Sequence, residues 1–444
     1  MPTPDWKQLK HDLMALYQSA LTAADPKRAV SEALVLEEDG NIRAGENQIE
    51  LSADARIWII AAGKASIGMT DAALEILGNR VAGGVASFPR ALGRPGHWPD
   101  SIQSFGSGHP LPDEKSFDAG AAVVVLAAKV QPGDLVLARI SGGGSALLEK
   151  LREGIELEQI QALTQALQHA GANILELNTV RRALSVLKGG GILELARPAQ
   201  VVTLAMSDVL NDRPEAIASG PTVESSTGPA DALNVLKRFK LESEFAPIVE
   251  VIKTTHEEKP EKFEEGAKPT YLVVGSNRMA GQAVVEEAGK LGFESLLLTA
   301  CMQGEANDVG KMIGGLAQGV RAHQIPFAAP ACLVLGGETT VTVSGDGKGG
   351  RNLELAMGAA ATLAELPRVA VLAFATDGVD GTADAAGAVA TGETMTRCRS
   401  LQLSPEDYLE KSDSWAFFQS LGDLWVTGPT GTNVNDLAVV LVYP

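Results

Sequence analysis

The chain has 444 residues, 45% hydrophobic and 21% charged, with a formal net charge of −18. That length predicts two domains, and the acidic balance argues against a nucleic-acid or anionic-membrane surface, both of which need basic patches. The three cysteines, Cys301, Cys332 and Cys398, form no disulfide framework or zinc spacing, no apolar run is long enough to span a bilayer, and the first residues lack a leader pattern, so a cytoplasmic protein with reduced thiols is expected.

In chain order, residues 6–34 have helical periodicity. Residues 56–62 read as a short apolar strand running into Gly63-Lys64-Ala65-Ser66 and a helix. Residues 83–88 form a second strand, 121–130 a helix, and 135–140 a strand that ends abruptly in Ser141-Gly-Gly-Gly-Ser145 before another helical segment. A buried strand at 200–206 ends at Ser207-Asp208. The charged run 254–268 reads as a linker. Beyond it come strands at 271–275, 295–300, 331–335, 369–375 and 436–443, separated by helices, with Cys332 in the core. Residues 339–343 alternate polar and apolar, as in a half-exposed edge strand. Strands alternating with helices predict βαβ units and a mainly parallel sheet, with functional loops at the carboxyl ends of the strands.

Those ends hold the chemistry. Three consecutive glycines at 142–144 let backbone N–H groups approach a ligand, and a following helix would add its positive end, which suits an anion such as phosphate. Ser141 and Ser145 read either as helix caps or as ligand contacts. Lys64, in a small apolar turn, is a point charge for phosphate oxygens or a solvated lysine. Asp208 and Asp212 follow the 200–206 strand; either could be a base or a Mg²⁺ ligand, and Asp212 could instead cap a helix starting near Pro214. Arg351 opens a helix after Gly349-Gly350, where it can clamp a carboxylate or phosphate or simply pair with Glu338 or Glu354. Asp377, at the end of the 369–375 strand, is a base, a metal ligand or an Asx-turn residue, with Asp380 and Asp384 nearby. His109, in Ser107-Gly-His-Pro-Leu-Pro112, has a loop context suited to substrate contact.

Other chemistries fit less well. A P-loop is missing, since Trp58 stands where its first glycine belongs and Ala65 where a hydroxyl belongs. No G-x-S-x-G surrounds Ser141 or Ser145, which disfavours a serine hydrolase. Gly345, Gly347 and Gly350 do match G-x-G-x-x-G. The run before them alternates, however, whereas a dinucleotide-binding first strand is buried on both faces, and the loop carries Asp346, Lys348 and Arg351.

Taken together, several loops resemble one family: Ala61-Ala-Gly-Lys64, Ser107-Gly-His-Pro-Leu-Pro-Asp113, Ser141-Gly-Gly-Gly-Ser145, Leu177-Asn-Thr-Val-Arg-Arg182 with Lys188-Gly-Gly-Gly191, Ser207-Asp-Val209, Ser219-Gly-Pro-Thr222, Gly336-Gly-Glu-Thr-Thr-Val, Gly349-Gly-Arg-Asn-Leu-Glu, Thr376-Asp-Gly-Val-Asp-Gly381 and Gly431-Thr-Asn-Val-Asn-Asp436. The set is similar to the glycerate 2-kinases with a MOFRL-type C-terminal domain, over about residues 6–441. The chain departs from the family at Gly191, where a basic residue commonly follows Lys-Gly-Gly. The resemblance implies an α/β protein of two domains. The first, 1–262, would be Rossmann-like with a mainly parallel sheet; the second, 268–444, would be smaller with a mixed sheet, and the active site would lie in a cleft between them. It implies ATP- and Mg²⁺-dependent phosphorylation of D-glycerate at the 2-hydroxyl and admits a homodimer. Lys64 and Arg351 would hold the substrate carboxylate or the transferring phosphoryl group. Ser141, Gly142, Gly143, Gly144 and Ser145 would donate to phosphate, and Asp208 or Asp377 would orient the hydroxyl or hold Mg²⁺. His109, Asp212, Glu338 and Asn433 complete the expected binding set. The alternatives are an NAD(P)H-dependent hydroxypyruvate reductase, a label that family members often carry, and a binding protein without turnover.

Overall fold

A computed structural model describes residues 6–255 and 269–444, so nearly all of the expected linker at 254–268 lies outside the described residues. The chain divides into two compact units: Pro26–Val274, and the residues up to Asp25 together with Gly275–Pro444. This differs from a linear split into 1–262 and 268–444. The first helix, α1 (Trp6–Ala23), belongs with the C-terminal half, and the strand at 270–275 completes the N-terminal sheet. The helical pattern at 6–34 also breaks. Pro26 cannot sit inside a helix but fits the first position of one, and it opens α2 (Pro26–Ala33).

The Pro26–Val274 unit begins with a small antiparallel sheet, β1 (Leu34–Leu36), β2 (Ile42–Ala44) and β3 (Asn47–Ile49), whose three-residue strands carry no readable periodicity. Its main sheet holds β4 (Ile57–Ala62), β5 (Val81–Pro89), β6 (Ile102–Ser107), β7 (Leu135–Ser141), β8 (Gln200–Met206) and β9 (Thr270–Gly275), in the order β6-β5-β4-β7-β8-β9. The pairings from β6 through β8 are parallel. Both β4 and β7 are buried along their whole length, as strands covered on two faces must be. The strand order reverses between β4 and β7, and ligands bind outside the carboxyl ends of strands at such a switch point. Helix α3 (Ser66–Leu77) follows β4. Helix α4 (Glu114–Ala127) starts earlier than residue 121 because Asp113 caps it, accepting from Ser116 N. A single turn, α5 (Gly144–Leu147), follows β7. Helices α6 (Leu157–His169), α7 (Ile174–Leu184), α9 (Pro229–Arg238) and α10 (Ala246–Thr254) share their own core of Leu163, Val180, Leu236 and Ile252, and the short α8 (Gly191–Leu195) precedes β8.

The other unit has a mixed sheet of β10 (Glu294–Met302), β11 (Ala331–Gly337), β12 (Val369–Ala375), β13 (Gly387–Thr391), β14 (Leu424–Trp425) and β15 (Asp436–Val442), in the order β10-β11-β15-β12-β13-β14. Strand β15 runs antiparallel between β11 and β12, so Asp436 pairs with both Gly337 and Ala375 and the carboxyl ends of β11 and β12 meet at its start. Helix α1 buries Leu9, Leu13, Leu16, Tyr17 and Ala20 along one stripe and packs with α11 (Asn277–Lys290). Helices α12 (Ala306–His323), α13 (Arg351–Leu363), α14 (Thr394–Ser400) and α16 (Ser414–Leu421) build the core that includes Ile313, Leu355, Val371 and Phe417, with α15 (Pro405–Glu410) packed on α16. Cys332 is buried there as expected, and burial pushes its thiol up to about 12. The alternating run at 339–343 is not a strand: it makes one bridge, Thr340 to Glu305. The chain leaves the sheet at Gly337 (φ +149°), where a Cβ would sit 2.3 Å from the Met302 backbone. Among the described residues, no helix is long and apolar enough to cross a membrane.

Candidate active site

At the switch point the loops after β4 and β7 are bonded together. Lys64 N donates to Gly142 O (2.9 Å) and Ala65 N to Ser141 Oγ (3.0 Å). Ser141 therefore ties down the start of α3, not a helix of its own. The helix that contains Ser145 is only the single turn α5, so the long helix that begins at this point is α3, led in by Gly63-Lys64-Ala65. That corrects the expectation of a full helix dipole behind the glycines.

The three glycines have three different neighbours. A Cβ on Gly142 would lie 1.8 Å from Asp208 Oδ2, so the bare Cα is what lets that carboxylate approach the loop. Gly143 adopts φ +80°, and a side chain there would meet the His109 ring at 3.0 Å and Lys64 Cγ at 3.5 Å. A Cβ on Gly144 would meet that of Ala218. Lys64, His109, Ser141, Gly142, Gly143, Gly144 and Asp208 thus form one cluster. Burial, and then the Lys64 charge, hold the His109 pKa below its ordinary value. Lys64 is half-buried and has no carboxylate partner among the described residues.

Behind this loop, Ser145 Oγ lies 2.6 Å from Ser219 Oγ, which donates to Asn178 Oδ1 (3.0 Å). The Ser219 proton is committed, so Ser145 is the donor of the pair, and it caps no helix. Lys188 and Glu149 form a buried ion pair, and Glu149 also accepts from Ser185 Oγ (2.7 Å). Gly191 begins α8, and any side chain there would collide with Val186 O (2.0 Å). Asp212 lies in a distorted turn at φ +50° and caps no α-helix; the Tyr271 phenol pKa is raised by burial first and then by the Asp212 charge.

In the other unit Arg351 heads α13 and is held twice: by Asp436 (Nη2–Oδ1 3.1 Å) and by Glu338 (2.7 Å). These partners raise the guanidinium pKa against the cost of burial. Burial pushes Asp436 up to about 7, with Arg351 pulling the other way. Glu354 is pushed up to about 7 by burial first, then by Glu305 and Asp380. Asp380 is structural: it is buried and accepts from Asn352 N (3.1 Å) and Leu353 N (2.8 Å), capping α13 from a distance. Asp384 pairs with Lys348 (3.0 Å). Asp377 does form the Asx-type turn, accepting from Val379 N (3.1 Å), and its carbonyl accepts from Thr430 N. Asn433 Oδ1 accepts from Asn435 N (3.0 Å).

The G-x-G-x-x-G context fails. No strand precedes Gly345, and Gly345 and Gly347 are bare because Lys411 and Asp413 pack on them: a Cβ at either would approach the Lys411 backbone within 2.6 Å. The dinucleotide-loop reading of these glycines is therefore withdrawn.

Residues 12–253 match the family model described as a domain of unknown function (DUF4147), and residues 331–436 match the MOFRL family. A protein named D-glycerate 2-kinase from Thermotoga maritima is 36% identical, with 99% of each chain covered. The crystal structure of a glycerate kinase from the same organism superposes with a TM-score of 0.87 at 35% identity, covering 98% of this chain and all of that one. The chain belongs to the glycerate 2-kinase family. A relative from Agrobacterium vitis, 36% identical over 97% of this chain and 94% of its own, is named putative hydroxypyruvate reductase. Both names therefore occur among relatives of this glycerate 2-kinase family member.

Residue-by-residue reading missed Asp436, the buried partner of Arg351. It had appeared only as the last residue of a motif and the first of a strand. It also missed the roles of Asn178 and Lys188, which had appeared only within a motif; Ser219 and Glu149, their partners, lie 41 and 39 residues away, beyond any local pattern.

Proposed function

We propose that this chain is an ATP-dependent kinase that phosphorylates D-glycerate at the 2-hydroxyl, giving 2-phosphoglycerate and ADP. The observation that carries the reading is a half-buried, unpaired lysine beside Ser141-Gly-Gly-Gly-Ser145 at a switch point, in a chain related along its whole length to glycerate 2-kinases. In the transfer, the 2-hydroxyl oxygen bonds to the γ-phosphorus. The bond from that phosphorus to the β,γ-bridging oxygen breaks, ADP leaves with the electron pair, and the hydroxyl proton passes to a carboxylate. Such a reaction needs mainly positioning and charge stabilisation. Lys64 and Arg351 hold the carboxylate or the moving phosphoryl group, the glycine loop donates N–H groups to phosphate, and Asp208 or Asp377 receives the proton. His109, Ser145, Glu338 and Asn433 are candidate substrate or nucleotide contacts, with Asp212 the least supported of the set.

The residues fit a Mg²⁺ ion delivered with ATP. Such an ion takes one or two carboxylates plus phosphate oxygens, and Asp208 reaches the glycine loop because Gly142 has no side chain. Among the described residues no three His, Cys, Asp or Glu side chains gather into a cage, so a metal here would take its remaining ligands from phosphate and water. When bound, Mg²⁺ would neutralise charge on the phosphates; Asp208 or Asp377, whichever does not receive the proton, would hold it. The enzyme acts on small molecules in a reducing cytoplasm, where its three cysteines stay as thiols.

A coupled assay with D-glycerate, ATP and Mg²⁺ should release ADP, and phosphorus NMR should identify the 2-phosphate. Absence of ADP release removes the proposal. NADH oxidation on adding hydroxypyruvate would favour the reductase name instead.

A further inference from the structure

Tyr17, on α1, is buried to 4% exposure, yet its hydroxyl makes no well-aligned hydrogen bond. Its ring stands edge-on to Phe374 (centroids 5.0 Å apart) and to Trp425 (5.7 Å). The hydroxyl faces Thr427 and lies close enough to Asp377 to feel its charge; burial first, and then that charge, raise the phenol pKa. A buried donor without a good partner destabilises the fold, and phenylalanine would fill the same ring space without that cost.

The surroundings connect this phenol to one turn. Asp377 O accepts from Thr430 N (3.1 Å), and Thr430 Oγ1 donates to Thr376 O (2.6 Å). A Cβ on Gly378 would meet Gly428 O at 2.0 Å, so the 427–431 loop lies directly on the 376–378 turn. The end of α1 joins the same loop, where Thr432 Oγ1 donates to Ala24 O (2.6 Å). The loop is thus pinned on one side by the Asp377 turn and on the other by α1, with Tyr17 and Thr427 at the contact.

We propose that Tyr17 is a positioning residue: through Thr427 it sets the 427–431 loop, and with it the orientation of the Asp377 carboxylate during phosphoryl transfer. This rests on the reading that Asp377 serves the glycerate kinase reaction. The N-terminal helix, far away in sequence, then belongs to the catalytic machinery's support.

The test uses the full chain with Tyr17→Phe, Thr427→Val and the double variant, measuring kcat, KM for glycerate and ATP, and Tm. Each single variant should lower kcat by roughly 3- to 10-fold with both KM values within about twofold, as expected when only the transition-state geometry suffers. Neither melting temperature should fall by more than about 2 °C, and the double variant should be no slower than the worse single one, because both act through one contact. Tyr17→Phe with wild-type kcat overturns the proposal. So does a kcat loss that multiplies in the double variant, or one matched by a large fall in Tm, since a purely structural role predicts those. If the unmodified chain turns over no glycerate at all, the kinase reading itself falls, and this inference falls with it.

Discussion

Lys64 and Arg351 are the two cations assigned to substrate, and their surroundings are opposite. Lys64 sits among glycines with its ammonium unpaired among the described residues, while Arg351 is locked by the buried Asp436 and the half-exposed Glu338. A free ammonium is available to an incoming anion at once, and its loss should cost the fold little. A guanidinium already bonded to two carboxylates is a fixed part of the wall. It can meet a ligand only with its remaining face or by giving up Glu338, and its loss strands a buried charge. The same formal charge is thus left open in one unit and built into the wall of the other.

The sharpest way to break this comparison is Lys64→Ala. We expect kcat to fall by about 10³-fold, the scale of removing a main electrostatic stabiliser, with Tm unchanged within about 2 °C, since no ion pair or core packing is lost. A large fall in Tm would mean that Lys64 is structural and the contrast false. Arg351→Ala comes next. It should lower kcat by about 10²-fold and also destabilise the fold by roughly 3 kcal/mol at pH 8, the cost of removing one partner from a buried pair. Denaturant unfolding separates the two effects; loss of rate at full stability would place Arg351 in the same class as Lys64.

How much of this was legible depends on range. Most strands of both sheets and the loops bearing Lys64, Ser141 and Arg351 could be read because each is a local pattern, a buried run, then glycines, then a charge; the strands β6, β13 and β14 were not read. Alternation at 339–343 misled, because Gly337 turns the chain out of the sheet and periodicity cannot see a turn. The strand at 270–275 was recognised but given to the wrong sheet, since nothing in its residues states which neighbour it joins. The pairing of Asp436 and the role proposed for Tyr17 could not be read from local sequence. Their roles come from partners 85 residues away in the first case and, for Tyr17, from Thr427 and Asp377 in the distant half of the chain.

A smaller effect probes the acidic side of the Arg351 wall. Glu354 has a folded pKa of about 7 against an ordinary 4.5, raised by burial, Glu305 and Asp380. Between those values the unfolded chain gives up a proton that the folded chain keeps, so this group's contribution to stability is full below pH 4.5 and is lost as pH rises to 7. Glu354→Gln should therefore match the unmodified chain at pH 4 and exceed it by up to about 3 kcal/mol at pH 8. Equal unfolding free energies at both pH values would show that Glu354 is not buried as a lone acid, and that the cluster beside Arg351 is balanced in some other way.

The smallest effect concerns a third cation, which is neither free like Lys64 nor paired like Arg351. Arg139 lies on β7, fully buried, with Nη1 donating to Met69 O (3.3 Å) and with Nε and Nη2 unpartnered among the described residues. Burial pushes its pKa down to about 9, opposed only by the charge of Asp71. A buried charge without a matching partner costs more than a hydrophobe of similar volume. Methionine follows the same course through the sheet face without the charge. Arg139→Met should therefore raise stability by about 1–2 kcal/mol while kcat stays within about twofold, because Arg139 touches none of the proposed substrate contacts. If the variant instead loses stability, the bond to Met69 O is what holds α3 on the sheet. Arg139 would then be a supporting cation for the helix that Lys64 leads in, and the capture side of the comparison would prove as braced as the Arg351 side.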